Sequence, residues 1–197
     1  MCLLKEVFDA FPKTPMHLDM KFTSDELVHK TFDMIDKYDR RGLTILGAAS
    51  GPNVKLLRAV AQSRYQEEPR KGRYLTFASF PEVVKTYLLY AVGLLPFFPP
   101  AFDAFSIPLP TKAKQSMFAK RNLGPPLVRK CALWLLHSPA LWRHLRRQGI
   151  SVIGFVLNDK EEWTEVEGWP IDGVMTDDPV GYRKYLNEGS KEKKKVD

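Results

Sequence analysis

The chain has 197 residues, 44% hydrophobic and 12% aromatic, which is enough to fold around a core and too apolar for general disorder. Two cysteines, Cys2 and Cys131, exclude a disulfide framework and fit a reducing, intracellular setting. The formal charge of +7 is unevenly spread: Ala104 to Asn158 contains no acid and nine Lys or Arg residues, interleaved with aliphatic and Trp-rich runs that do not form a nucleic-acid-binding element.

Leu4, Val7, Phe8 and Phe11 recur at helical spacing and predict a helix that ends at Pro12. Lys5, Glu6 and Asp9 interrupt it, so it is not the apolar core of a secretory signal. Starting at Met1 with no cap, it reads as a helix cut from something longer. Met16 to Lys21 alternates strictly and predicts a strand with His17, Asp19 and Lys21 on one face. Thr23 and Glu26 form a capping box ahead of a helix carrying Leu27, Val28, Thr31, Phe32, Ile35 and Tyr38, with Gly42 as its stop.

Leu43 to Ala48 predicts a strand, Val54 to Ser63 a helix and Arg73 to Ala78 a strand. This alternation implies a parallel sheet with helical crossovers, either open or closed into a barrel. No Gly-rich phosphate loop follows any strand.

Between Lys85 and Asp103 there is no charge, and Pro96, Pro99 and Pro100 break the apolar run Tyr87 to Phe102. It reads either as a buried helix and loop of a barrel wall or as a surface-seated or re-entrant membrane segment. Leu127 to Gln148 predicts a long helix, with Cys131 buried in it, interrupted at Ser138-Pro139 and capped by Gly149. Ile150 to Leu157 predicts a strand buried on both faces with Asn158 at its end. Ile171 to Met175 is a last strand, followed by Thr176-Asp177-Asp178-Pro179, where a carboxylate caps a helix opened by Pro179. Residues 188–197 read as a charged disordered tail.

Parallel α/β folds place their sites at the C-terminal ends of strands, which singles out Asp19 and Lys21, Asn158, and Thr176 with Asp177. A carboxylate can ligate a hard cation, and an ammonium two residues on can face a phosphate oxygen. On the plainer reading the two are a solvated ion pair. His17 lies deeper in its strand and His29, His137 and His144 lie in helices, places where histidine is structural.

Three stretches then carry a resemblance. Glu6 to Lys21 is an amphipathic helix, a proline and a strand ending acidic-x-Lys; Ile150 to Asn158 is a strand ending in Asn; and Gly173-Val174-Met175-Thr176-Asp177-Asp178-Pro179 has the form Gly-x-x-Thr-Asp-x-Pro. In this order they resemble the glycerophosphodiester phosphodiesterase family, and the segment Tyr87 to Phe102 resembles its membrane-associated lysophospholipase D branch.

The resemblance implies a (β/α)8 TIM-type barrel. A complete one needs about 250 residues, so this chain would be an incomplete barrel lacking its first strands. Residues 1–187 would form the partial domain, with 83–110 a membrane-associated insertion. It implies that Asp19 stands at a metal-ligand position commonly held by Glu, Lys21 at the basic position near the phosphate, Phe155 where the pocket wall usually has Trp, and Asn158 at the Asn of that strand's end. The cofactor implied is a divalent cation, Mg or Ca, and the substrate a glycerophosphodiester or lysophospholipid. A membrane surface would be the partner, and the endoplasmic reticulum or the cytoplasmic face of a membrane the location.

The family's His-Arg strand, Glu-x-Asp pair and second histidine lie upstream of the stretch this chain resembles, so the chain alone lacks the catalytic histidines and is expected to be inactive. The alternative is a non-catalytic membrane-surface protein that binds anionic lipid through the acid-free stretch.

Overall fold

The computed structural model describes residues 2–21, 24–49, 53–114, 130 and 133–193. Thr23, Cys131, and Lys120, Arg121 and Arg129 of the basic stretch lie outside the described residues. Two compact units result, one of residues 1–89 and 94–105, the other of residues 90–93 and 106–197. The chain is a mixed α/β protein with two three-stranded sheets.

In the first unit the order is α1 (Leu4–Ala10), β1 (Met16–Asp19), α2 (Asp25–Lys37), β2 (Thr44–Gly47), α3 (Asn53–Glu67), β3 (Leu75–Thr76) and α4 (Phe80–Ala91). β1 and β3 flank β2, both parallel to it, with Asp19 opposite Gly47 and Leu46 opposite Thr76. The alternation in β1 sorts as its sequence implies. Met16, Leu18 and Met20 pack on a core of Phe8, Val28, Phe32, Ile35, Leu46, Leu57, Val60 and Tyr74, while His17 on the other face stacks against Phe77 at 4.5 Å. Burying each large side chain of that core contributes about 1.5–3 kcal/mol, which fixes the register of β1.

Both ends of α2 depart from the expected signals. Ser24 is the N-cap, accepting the Leu27 N–H at 3.2 Å. At the other end the helix stops at Lys37, short of Gly42, because Asp39 takes the left-handed conformation (φ 51°). The Arg40 N–H then reaches the Ile35 carbonyl and the Asp39 N–H the Asp36 carbonyl, a Schellman closure that a short Asp side chain tolerates.

That closure delivers Arg40 and Arg41 into the interior, where both are buried. Arg41 donates to Asp36 at 2.6 Å and to Glu68 at 3.1 Å, and Asp36 also accepts from Tyr74 at 2.6 Å and Arg64 at 3.2 Å. Burial alone would raise the Asp36 carboxyl, but hydrogen bonds from Arg41, Tyr74 and Arg64 outweigh it and hold the group below its ordinary 3.8. A depressed folded value means the contribution is complete above the unfolded value and is lost as pH falls through the folded one. The melting temperature should therefore drop as pH is lowered below about 4. Asp36→Asn should melt lower at pH 7 and lose part of that acid slope, which calorimetry across pH 2.5 to 7 would check.

Gly47 has a packing reason to be glycine: a Cβ there would come within 2.7 Å of the Phe77 ring. Gly47→Ala is expected to cost about 1–3 kcal/mol by displacing that ring, read as a shift in urea midpoint.

β4 (Ala104–Pro108) was not anticipated from the sequence; its first two residues belong to the first unit, where Phe77 bridges Ala104 in parallel, and the rest to the second. The second unit continues with α5 (Pro139–Arg147), β5 (Ser151–Phe155), α6 (Lys160–Val166), β6 (Gly173–Val174) and α7 (Pro179–Lys193). β5 lies between β4 and β6 and runs parallel to β6.

Gly149 ends α5 at φ 78°, with the Ile150 N–H on the Leu145 carbonyl, as its position in the sequence suggests. Val152 and Gly154 are buried while Ser151, Ile153 and Phe155 are only half-buried, so β5 has one covered face and not two. Leu109 occupies the space a Cβ on Gly154 would need. His137 meets Trp142 and Trp169 edge-on at 5.7 and 4.6 Å, and the two indoles lie tilted against each other at 5.5 Å, a packing role for His137. Asp178 caps α7 by accepting the Gly181 N–H at 2.9 Å; that helix runs to Lys193, within the stretch read as tail.

Candidate functional site

Asp19 is the last residue of β1 and Lys21 lies two residues beyond it; the Lys21 ammonium donates to an Asp19 carboxylate oxygen. Their side chains are 29% and 70% exposed, and a pair this open contributes at most about 1 kcal/mol, so stability does not explain it. Asp19 shares its sheet face with His17, and the His17–Phe77 stack lies further down the same strand. Burial lowers the His17 pKa; Asp19 acts against this and Lys21 with it, so the imidazole is neutral at pH 7.

In the second unit the C-terminal ends of β5 and β6 meet through Asn158. Its carboxamide oxygen accepts from the Asp177 N–H at 2.9 Å and the Thr176 hydroxyl at 3.2 Å, and its amide donates to the Asp177 carboxylate at 3.0 Å. These bonds use both ends of the carboxamide, so Asn158 fixes the loop after β6. The Asn158 N–H in turn donates to Glu162 at 3.1 Å, a buried carboxylate on α6 whose other oxygen takes the Thr111 hydroxyl at 2.7 Å.

The Lys114 ammonium stands 3.8 Å from Glu162 and donates to the Phe155 and Val156 carbonyls. Burial lowers the Lys114 pKa, and the Glu162 charge partly offsets it. Phe155, half-buried, closes β5 just before Asn158.

Thr111, Lys114 and Glu162 escaped the sequence reading. Glu162 had one usable signal, its place four residues after the strand-ending Asn158 and three after Asp159, the N-cap of α6. Lys114 had none, being one of many basic residues.

A hard divalent cation takes about six oxygen ligands. Among the described residues no three His, Cys, Asp or Glu side chains converge, and the Asp19 carboxylate is already engaged by Lys21. The described residues therefore do not by themselves fit such an ion.

Parallel strands, helical crossovers, and polar groups gathered where strands end define an α/β protein whose candidate residues stand at strand ends. The chain is 32% identical over 195 residues to lysophospholipase D GDPD1 of Rattus norvegicus and of Homo sapiens, covering 95% of itself and 57% of those proteins. To lysophospholipase D GDPD3 of Mus musculus it is 32% identical over 193 residues, 98% of this chain and 56% of that one. These relatives belong to the glycerophosphodiester phosphodiesterase family, and so does this chain. It spans little more than half the length of those relatives. No protein-family model matches it.

Proposed function

We propose that this chain forms part of a phosphodiester hydrolase acting on glycerophosphodiesters or lysophospholipids at a membrane surface inside the cell, on the endoplasmic reticulum or a cytoplasmic face. The proposed scaffold is a (β/α)8 barrel to which residues 1–187 contribute one partial domain, with 83–110 as an insertion. The carrying observation is the carboxylate and ammonium of Asp19 and Lys21, held together at the open end of a parallel strand where burial gives them no reason to be. The names of the relatives support the substrate class.

In this reading Lys21, in the first unit, orients and neutralises a phosphate oxygen; in the second unit Phe155 is a substrate-wall residue and Asn158 holds the loop after β6. Asp19 is a ligand for a divalent cation, Mg or Ca, whose other ligands come from sequence the relatives have and this chain does not span. The histidines that move protons belong to that same sequence. No helix among the described residues is long and apolar enough to cross a membrane, so the proposed membrane contact is one of surface.

The test fuses the chain to the part of the rat relative that it does not span and measures choline release from lysophosphatidylcholine with Mg or Ca. The fusion should hydrolyse where the chain alone does not, and Lys21→Ala within it should lower kcat/KM about 100-fold or more. A folded fusion without activity, or a Lys21→Ala fusion as active as its parent, would overturn the reading. Anionic-vesicle binding by an inactive fusion would favour the non-catalytic alternative.

A further inference from the structure

The C-terminal end of α5 and the start of β5 form a recess of 490 Å³, within the range of small-molecule sites, lined by Arg143, Arg146, Arg147, Gly149, Ser151 and Asp172 among others. Gly149 to Ser151 lead into β5 and Asn158 follows it, so the recess stands at the far end of that strand from Asn158. All of its walls belong to the second unit.

Charge in the recess is unbalanced. Asp172, the one acid lining it, is spent: one carboxylate oxygen accepts from the Arg146 guanidinium at 2.8 Å and the other from the Val152 N–H at 2.9 Å. Arg143 and Arg147 are exposed and have no ion-pair partner among the described residues. Four positions apart on α5, they share one side of the helix, a spacing at which like charges weaken a helix. A helix end carries only about half a negative charge, too little to balance two guanidiniums. Stability of α5 therefore gives no reason for the pair.

The remaining walls suit an anion. Ser151 offers a hydroxyl, and a Cβ placed on Gly149 would meet nothing within 4 Å, so the approach past the backbone is open. The planar fork of a guanidinium matches two phosphate oxygens at once, and bonds of this charge-assisted kind are about twice as strong as neutral ones.

We propose that this recess binds a phosphate monoester as its dianion, with Arg143 and Arg147 forking onto the phosphate oxygens and Ser151 donating to one of them. Two unpaired cations match two negative charges, where a diester brings one. The choice of ligand rests on the hydrolase reading. In hydrolysis of a glycerophosphodiester, water bonds to phosphorus as the bond to the leaving alcohol oxygen breaks. One water proton goes to that alcohol, and the other is lost to solvent once the monoester ionises a second time, above about pH 6. The product left is glycerol phosphate, the dianion this recess fits.

The experiment titrates glycerol phosphate into the 197-residue chain, without metal and at low salt. NMR follows the arginine side-chain N–H signals and the backbone N–H groups of Gly149, Ile150 and Ser151, which should shift together and saturate. Calorimetry gives the affinity, and Arg143→Ala/Arg147→Ala should lower it about tenfold or more. Arg143→Lys/Arg147→Lys keeps the charge without the fork and should recover only part of that loss. Glycerophosphoglycerol, a singly charged diester, should bind about tenfold more weakly than the monoester. Both arginines are exposed, so the variants should melt no lower than the parent, and melting is measured alongside.

A folded chain whose signals do not saturate, a double alanine variant that binds like the parent, or a diester held as tightly as the monoester would each overturn the proposal. So would flotation with phosphatidic acid vesicles that needs both arginines while the soluble monoester goes unbound, since that assigns the pair to a lipid surface. Hydrolysis by the fusion protein is scored separately. Monoester binding beside an inactive fusion upholds the recess and removes the hydrolase reading; an active fusion whose recess takes up no monoester does the reverse.

Discussion

Replacing Arg40 with methionine should lower the unfolding free energy by about 3–5 kcal/mol, near the upper limit for a single substitution. Arg40 is fully buried, and its guanidinium donates to the carbonyls of Phe11 at 2.9 Å and Pro12 at 2.6 Å and to that of Thr14, with the Phe8 ring 4.6 Å beneath it. Those three carbonyls belong to the turn between α1 and β1, so one side chain sets how the chain enters the strand that bears Asp19. Methionine fills much of the volume and leaves the carbonyls dry and unpaired. Arg40→Lys keeps the charge but cannot fork across them, and should recover less than half of the loss. Urea unfolding followed by circular dichroism measures both; a methionine variant within about 1 kcal/mol of the parent would mean that water replaces the guanidinium.

Glu162→Ala should cost a comparable amount, about 3–5 kcal/mol, for a different reason. It removes the acceptor of the buried Thr111 hydroxyl and of the Asn158 N–H, and strands the Lys114 ammonium 3.8 Å from where its counter-charge stood. Because burial already lowers the Lys114 pKa and Glu162 works against this, the variant's lysine should titrate lower still. The charged form then weakens the fold, so the variant should regain stability as pH rises through that lowered value. Adding Lys114→Met should return part of the loss at pH 7, since an absent charge is cheaper than a buried unpaired one. Thermal melts from pH 6 to 10 separate the single and double variants.

Arg40 left no mark in the sequence and Glu162 only its place three residues after the N-cap Asp159, and the reason is one of range. The partners of Arg40 lie 26 to 29 positions away and are backbone oxygens, which leave no mark in composition or spacing. Glu162 meets Thr111 across 51 residues. What periodicity carries is local. The two faces of β1, the closure of α5 at Gly149 and the capping of α7 by Asp178 each depend on residues within a few positions, and each was readable.

The stop of α2 was misassigned because glycine outranks aspartate as a left-handed residue in general, whereas here Asp39 reaches that conformation first. β4 is masked in the sequence by Pro108, Leu109 and Pro110, which have the composition of a loop, and α6 by its length of 7 residues, too short for a clear helical period. Of the candidate site, the pairing of Asp19 with Lys21 follows from a spacing of two along a strand. The bracket around Asn158 needed coordinates, since it is assembled from three strand ends.

The rings of His17 and Phe77 make the neighbourhood of Asp19 lopsided. Down the sheet face from Asp19 lie two flat rings with no net charge and no freely turning dipoles, and the exposed part of the carboxylate meets bulk water. Counter-ions from solution can gather only over the watery half, so an ion resting against that carboxylate would feel an attraction between that of an open surface and that of an interior. Added salt should then trim its affinity without abolishing it, a moderation imposed by two aromatic planes that never touch the ion.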